Sequence, residues 1–358
     1  MSKTGRTVHD LPPSEDNKRN SEGAFITLND GRLLFAYSRY GGEGFRDDSV
    51  ADIAVIYSAD DGESWSEPQI IFTAEEHKAK NIMSVSLLRL NNGDIGLFYL
   101  VKFGFEDTRL VIRRSKDEGV TWSDAEYCIE RLGFNVVNND RVIMLESGRI
   151  IFPSAHHAVR IQPGAPCFPF AVNYFYISDD DGESWYENDC NVSLNSPHTR
   201  TGLQEPGILE LAPGFIWCWS RTDMGRQYEY FSRDGGLSWS NPEPSYFVSP
   251  CSPLSIKRIP GTEKLLAVWN PIPEYPTYKT DIKGFPRKRF LYSLSRDNGG
   301  TWDEPVVLED DDGSGYCYTA IHFHGDSVLL AYCAGHDEKD YSILSRIRIR
   351  KIPLTAFD

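Results

Sequence analysis

No stretch of the 358-residue chain approaches the roughly 20 consecutive apolar residues of a membrane-spanning helix, so no membrane partner is expected. The opening MSKTGRTVHDLPPSEDNKRN has no apolar signal core, and the expectation is a cytoplasmic protein. No basic run offsets the formal net charge of −15, which argues against nucleic acid as a partner while leaving room for a local basic pocket. The seven cysteines are scattered, without a CxxC or a metal-ligand spacing, and read as reduced thiols. Neither a metal nor another cofactor is implied. Long helical periodicity is also missing. What remains is a chain that is 40% hydrophobic and 25% charged, enough apolar material for a large core and too much for wholesale disorder.

What is present is repetition. The pattern Ser-x-Asp-x-Gly-x-(Ser/Thr)-Trp occurs as SADDGESW from Ser58, SKDEGVTW from Ser115, SDDDGESW from Ser178, SRDGGLSW from Ser232 and SRDNGGTW from Ser295. Ser and Asp side chains accept backbone N–H groups in such a turn, Gly supplies a positive φ, and Trp buries a large ring. The ligand spacing is not that of a calcium loop, and no Glu closes a twelve-residue loop. A second marker interleaves: hairpin-like glycines at Gly31, Gly93, Gly148, Gly214, Gly261 and Gly325, each joining two apolar runs of strand length. Six units of about 59 residues account for nearly the whole chain. Each unit reads as strand, Gly turn, strand, loop, strand, Asp box, strand. The predicted fold is all-β: a six-bladed β-propeller of four-stranded antiparallel blades, one domain over residues 1–358. The sixth unit has no box and ends on the alternating SILSRIRIRKI. Its fourth strand is expected from the polar segment 1–20, around Arg6–Leu11, closing the ring.

In this topology the Gly turns and the boxes share one end and act as scaffold. The opposite rim collects the polar residues of every unit: Glu22, Arg39, Asp47 and Asp48; Asn81 and Lys102; Asn138, Asn139, Asp140, Arg141, His156 and His157; Gln204, Glu205, Arg221 and Asp223; Ser252, Asn270, Arg287 and Arg289; Tyr316, Tyr318 and His336. Polar groups converging on one concavity mark the candidate site. Two adjacent histidines on a strand point to opposite faces, so at most one of His156 and His157 reaches it.

Box repeats on six such units resemble the sialidase (neuraminidase) superfamily, also called Asp-box or BNR-repeat proteins, over almost the whole chain. The resemblance implies a site in which arginines grip a substrate carboxylate, a tyrosine activated by a glutamate attacks the anomeric carbon, and an aspartate serves as acid and then base. QEPGILELAPGFIWCWSR is similar to the segment with the activating glutamate and a binding arginine, which assigns Glu205 and Arg221. GYCYTAIHFHGDSVLLAY is similar to the segment with the nucleophile, which assigns Tyr316, with Tyr318 competing. FPRKRFLYSLSRDNGGTW matches a further binding arginine at Arg287, with Arg289 second. FAYSRYGGEGFRDDSVADIAVIYSADDG matches a site arginine at Arg39 and the acid/base at Asp47 or Asp48. The departure lies in the first unit. Where the superfamily has an Arg-Ile-Pro segment completing the carboxylate clamp, this chain reads Ser21-Glu22-Gly23-Ala24. A glutamate there repels a carboxylate at close range. Arg141 in NNDR and His156 in SAHH have no counterpart and are candidates for a different recognition pattern.

The reading favoured by these residues is an exo-acting, retaining glycoside hydrolase of sialidase type with an oligosaccharide or glycoside substrate ending in an acidic or related sugar. A uronate-directed polysaccharide lyase and a non-catalytic carbohydrate-binding propeller are the alternatives.

Overall fold

The computed structural model describes residues 4–42, 44–158, 169–272 and 287–358. After β1 (Arg6–Leu11), the first unit holds β2 (Asn17–Thr27), β3 (Leu33–Gly41), β4 (Ala51–Ser58) and β5 (Gln69–Phe72), an antiparallel sheet in that order. The second holds β6 (Asn81–Arg89), β7 (Ile95–Lys102), β8 (Asp107–Ser115) and the short β9 (Glu126–Tyr127). The third holds β10 (Gly133–Val136), β11 (Ile143–Met144), β12 (Ile150–His157), β13 (Ala171–Ser178) and β14 (Tyr186–Glu187). The fourth is β15 (Gln204–Ala212), β16 (Phe215–Arg221), β17 (Arg226–Ser232) and β18 (Glu243–Val248). The fifth is β19 (Ser255–Arg258), β20 (Leu265–Trp269), β21 (Phe290–Ser295) and β22 (Val306–Glu309). The sixth is β23 (Cys317–His324), β24 (Ser327–Cys333) and β25 (Ile347–Pro353), with β1 paired antiparallel to β25 at its outer edge.

Two features differ from the repeat pattern. The first sheet begins at Asn17, inside what the sequence suggested was a leading polar segment. And the second and third units are not separate four-stranded sheets. Gly133 and Phe134 of β10 pair in parallel with Asp107 and Thr108 of β8, and β10 also pairs with β12, joining both units into one nine-stranded sheet. The break follows from the third unit's first strand, which is interrupted between β10 and β11 where Asp140 takes φ 59°.

The boxes fold as their residues dictate. In the first, Ser58 Oγ accepts the Gly62 N–H at 2.9 Å and donates to Asp60 Oδ1 at 2.8 Å. Asp60 in turn accepts the Ser64 N–H at 2.9 Å and its hydroxyl at 2.5 Å. Those bonds hold the Asp60 carboxyl down at about 2. The variable fourth position carries a second function. It is left-handed in all five boxes, with φ between 57° and 72° at Asp61, Glu118, Asp181, Gly235 and Asn298. There it reaches the Gly hairpin of the preceding unit. Glu118 accepts the Asn29 N–H at 2.7 Å, Asp181 accepts those of Asn91 and Asn92 at 2.8 and 2.9 Å, and Asn298 donates to the Leu211 carbonyl at 3.0 Å. Asp61 of the first unit meets His324 of the sixth at 3.0 Å.

The box tryptophans fill the same seams. Trp185 sits edge-on to Phe98, Trp239 stacks on Phe175 at 4.1 Å, and Trp302 packs on Trp217, each a residue of the preceding unit. The core is therefore a series of apolar layers between successive sheets rather than one central mass. We predict that Trp239→Ala lowers unfolding stability by about 3 kcal/mol, whereas Trp239→Phe retains most of it. A denaturant titration showing no loss for the alanine variant contradicts this seam packing.

Candidate active site

A regular strand alternates its side chains between the two faces of its sheet and aims none along the sheet edge. Four first strands break that rule at equivalent places. Pairing slips between Ser21 and Ala24 in β2, Met83 and Ser86 in β6, Gln204 and Gly207 in β15, and Cys317 and Ala320 in β23. At each slip one residue is left-handed: Glu22 (φ 57°), Ser84 (61°), Glu205 (44°) and Tyr318 (57°). Such bulges re-aim a side chain and carry about 1–3 kcal/mol of backbone strain each. All four side chains line one cavity of about 280 Å³, joined by Asp47, Lys102, Asn138, His157, Gln204 and Arg221. The neighbouring glycine at Gly23 is obligatory, because a Cβ there would lie 2.7 Å from the Ala36 carbonyl.

On one wall, Tyr318 Oη donates to Glu205 Oε1 at 3.2 Å, and Arg221 Nη1 lies 2.9 Å from Glu205 Oε2. That ion pair is in contact without hydrogen-bond alignment. Arg221 Nε and Nη1 have no aligned acceptor among the described residues, which suits them to an incoming anion. Arg221 Nη2 donates to Gln204 at 3.2 Å. The Arg287 guanidinium stands 5.6 Å from the Tyr318 ring centre. Burial, reinforced by the Glu205 charge, pushes the Tyr318 phenol well above its ordinary value. Tyr318 is therefore a neutral phenol beside a carboxylate.

On the opposite wall, Arg19 is buried and spreads its guanidinium 4.5 Å from the Tyr40 ring centre. Its Nη2 donates to Glu22 Oε1 at 3.1 Å and its Nη1 to Asp47 Oδ1 at 2.5 Å. Ser84 Oγ donates to Glu22 Oε2 at 2.9 Å, and Lys102 Nζ to the Asp47 carbonyl at 2.9 Å. Burial raises the Glu22 carboxyl to about 7 against the pull of Arg19. The Asp47 side chain is more exposed, and the partial desolvation it feels is outweighed by Arg19, with Lys102 and Arg221, which hold the carboxyl below its ordinary value. Asn138 lines the cavity, and the residues that follow it tie the neighbouring units together. Asn139 Nδ2 donates to the Gly23 carbonyl at 2.8 Å, Asp140 accepts Lys257 at 2.6 Å, and Arg141 Nη2 donates to the Leu254 carbonyl at 2.8 Å.

The structure thus brings Glu22, Asp47, Glu205 and Arg221 together, with Arg287 behind Tyr318. Other expectations are corrected. Tyr316 does not face the cavity. It is buried against Phe290 and Tyr332, because the bulge that follows it turns Tyr318, not Tyr316, toward Glu205. His156 lies on the outer face of β12, its Nδ1 2.9 Å from Asn135 Oδ1, while His157 takes the cavity face. Arg141 is buried outside the cavity lining, bonded to Leu254 and Ser255 of the fifth unit. Arg39 projects from β3 toward the side of Asp52, away from the cavity lining, and Asp48 is an exposed turn residue. Arg19 escaped the sequence reading. It sits three residues before Glu22 and reaches it across the bulged strand, with Asp47 on its other edge. Ser84 had no signal inside its apolar run.

The fold and this geometry can be set beside known proteins. A family described as BNR repeat-like domain matches residues 31–330. No curated protein matches the chain. Among solved structures, a Hadza microbial sialidase is similar at TM-score 0.74 and 18% identity, covering 98% of this chain and 69% of that one. A protein of unknown function from Dyadobacter fermentans is similar at TM-score 0.73 and 17% identity, covering 97% and 99%. The NanB sialidase from Streptococcus pneumoniae is similar at TM-score 0.71 and 14% identity, covering 99% and 71%.

A raised carboxyl in the fold makes stability fall with pH. Glu22 contributes fully below the value of an unfolded glutamate and loses that contribution as pH rises toward about 7. Glu22→Gln therefore flattens the decline in unfolding free energy between roughly pH 4.5 and pH 7. A wild-type-minus-variant difference that stays constant across this window contradicts the burial-raised carboxyl of Glu22.

Proposed function

The chain belongs to the BNR repeat-like domain family within the sialidase/BNR-repeat superfamily, and from that premise we propose that it is an exo-acting, retaining glycoside hydrolase of sialidase type for an acidic sugar. The observation that carries this reading is the Tyr318–Glu205 pair beside Arg221 and Arg287. A neutral phenol with an adjacent base is a nucleophile suited to an anomeric centre that itself bears a carboxylate, where an anionic nucleophile would be repelled. The cationic groups Arg19, Lys102, Arg221 and Arg287 at or beside the cavity of a chain with net charge −15 support an anionic ligand. We also propose that the six units close into a six-bladed propeller over one domain. Support comes from β2 lying beside both β6 and β23, and from Asp61 reaching the sixth unit.

In this mechanism Glu205 takes the Tyr318 proton as the phenolate oxygen attacks the anomeric carbon, and Asp47 protonates the leaving oxygen. Water, deprotonated by Asp47, then attacks the glycosyl–tyrosine bond, and Tyr318 leaves with the proton returned by Glu205.

The test is hydrolysis of a panel of 4-methylumbelliferyl glycosides of sialic and uronic acids. Tyr318→Phe and Glu205→Gln are expected to lower kcat/KM by about 10²–10⁴-fold, and Tyr316→Phe to leave it within about twofold. Loss with Tyr316→Phe and not with Tyr318→Phe sinks the assignment. A product absorbing in the ultraviolet from an unsaturated uronate indicates a lyase, and binding without any product indicates a carbohydrate-binding module.

A further inference from the structure

The mechanism above places the two parts of a substrate. The acidic sugar occupies the cavity, and the oxygen that Asp47 protonates faces the Asp47 side chain, which lines the cavity and is 60% exposed. The group attached to that oxygen therefore rests on the surface around Asp47. Two aromatic rings meet on that surface. Phe45 lies two residues before Asp47, in the turn between β3 and β4. It stacks on Tyr341 of the segment between β24 and β25, with ring centres 6.3 Å apart and planes at 25°. Lys18 Nζ donates to Tyr341 Oη at 3.0 Å and lies 4.6 Å from the ring centre. Tyr341 is nonetheless 43% exposed, and Phe45 is half-buried.

Both rings stand on backbone that buried groups hold in place. The buried Arg19 donates through Nη1 to the Phe45 carbonyl at 3.4 Å as well as to Asp47 Oδ1 at 2.5 Å, so one guanidinium sets the aromatic ring and the acid in a common frame. Beside Tyr341, the Asp340 carboxylate accepts Arg346 Nε at 3.0 Å, Arg346 Nη2 at 2.9 Å and the His336 N–H at 3.0 Å. The Asn20 N–H donates to the Ser345 carbonyl at 3.0 Å and ties the same segment to β2. An aromatic ring on anchored backbone loses little freedom when a ligand covers it, so its contact area converts into affinity.

The polar side chains at this place are Lys18, Arg46, Asp47 and Asp48, two cations and two carboxylates. Their charges offset one another and give no preference for a charged leaving group. The C–H face of a neutral pyranose suits an aromatic ring, and its hydroxyls suit the mixed polar edge. Resting on the hydrolase reading above, we infer that Tyr341 and Phe45 form the subsite for the leaving group, and that this group is a neutral hexose whose apolar face packs on Tyr341. The substrate class is then an acidic sugar joined to a neutral hexose, with the bond between them held over Asp47.

The experiment takes the acidic sugar that the wild-type protein releases from the aryl glycoside panel and compares two kinds of substrate. One is its methyl glycoside, whose leaving group is too small to cover a ring. The other is a set of disaccharides in which the sugar is linked to each hydroxyl of methyl galactoside in turn. Tyr341→Ala is expected to lower kcat/KM for the best disaccharide about tenfold more than for the methyl glycoside, with the difference carried by KM rather than kcat. Tyr341→Phe keeps the ring and retains most of the wild-type ratio, and Phe45→Ala shifts the ratio in the same direction as Tyr341→Ala. If Tyr341→Ala changes both kinds of substrate by the same factor, or the wild-type protein cleaves none of the disaccharides, this inference is overturned while the hydrolase reading stands. A wild-type protein that releases no sugar from the aryl panel overturns both.

Discussion

A strand can direct side chains above or below its sheet, and a site at the meeting point of several sheet edges needs side chains pointing along neither direction. Everything at the cavity depends on how the chain escapes this constraint. In β2, β6, β15 and β23 one residue turns left-handed and the pairing slips, so that Glu22, Ser84, Glu205 and Tyr318 swing out of their sheets toward a common space. Each such residue is strained, and none is a glycine. The strain is tolerated because each bulged strand is buried and paired to its neighbour both before and after the slip, and because the segment 138–141 ties β2 and β23 to one another through Asn139 and Asp140.

The opposite end of the molecule solves a different problem with the same local device. The fourth residue of every box is also left-handed, and at Glu118, Asp181 and Asn298 its side chain docks on the hairpin of the preceding unit. The exposed ends of the sheets are held together by short polar contacts and, beside each unit that carries a box, by its tryptophan. Rigidity at that end leaves the strained end free to specialise. The repeated motif and the chemistry are thus separated across the fold: the most regular residues are scaffold, and the irregular ones form the site.

The cavity itself is an arrangement of shared charges. Glu205 is held between a phenol and Arg221, and Arg19 between two carboxylates. In a space of this size no ionisable group is independent of its neighbours, so each proton position reflects the whole set. Glu22 is accompanied by the buried Arg19, and the local charge is closer to balance than Glu22 alone suggests.

The repeat spacing, the all-β class, the strand-turn-strand grammar and the placement of boxes away from the site were legible in the sequence, because they rest on local rules: hydrophobic alternation, turn residues and short-range side-chain bonds. Glu205, Arg221 and Asp47 were legible as rim residues for the same reason, and β1 at Arg6–Leu11 pairs with β25. What only the tertiary structure decided were the choices between near neighbours. Tyr318 over Tyr316, His157 over His156, and the reach of Arg19 to both Glu22 and Asp47 each turn on a bulge or a strand face. Arg141 became a strut because the carbonyl of Leu254, 113 residues away in sequence, lies within its reach. A bulge changes the count by one residue and reverses which side chain faces the cavity, and the energy that stabilises it comes from contacts between units, which no local window of sequence contains.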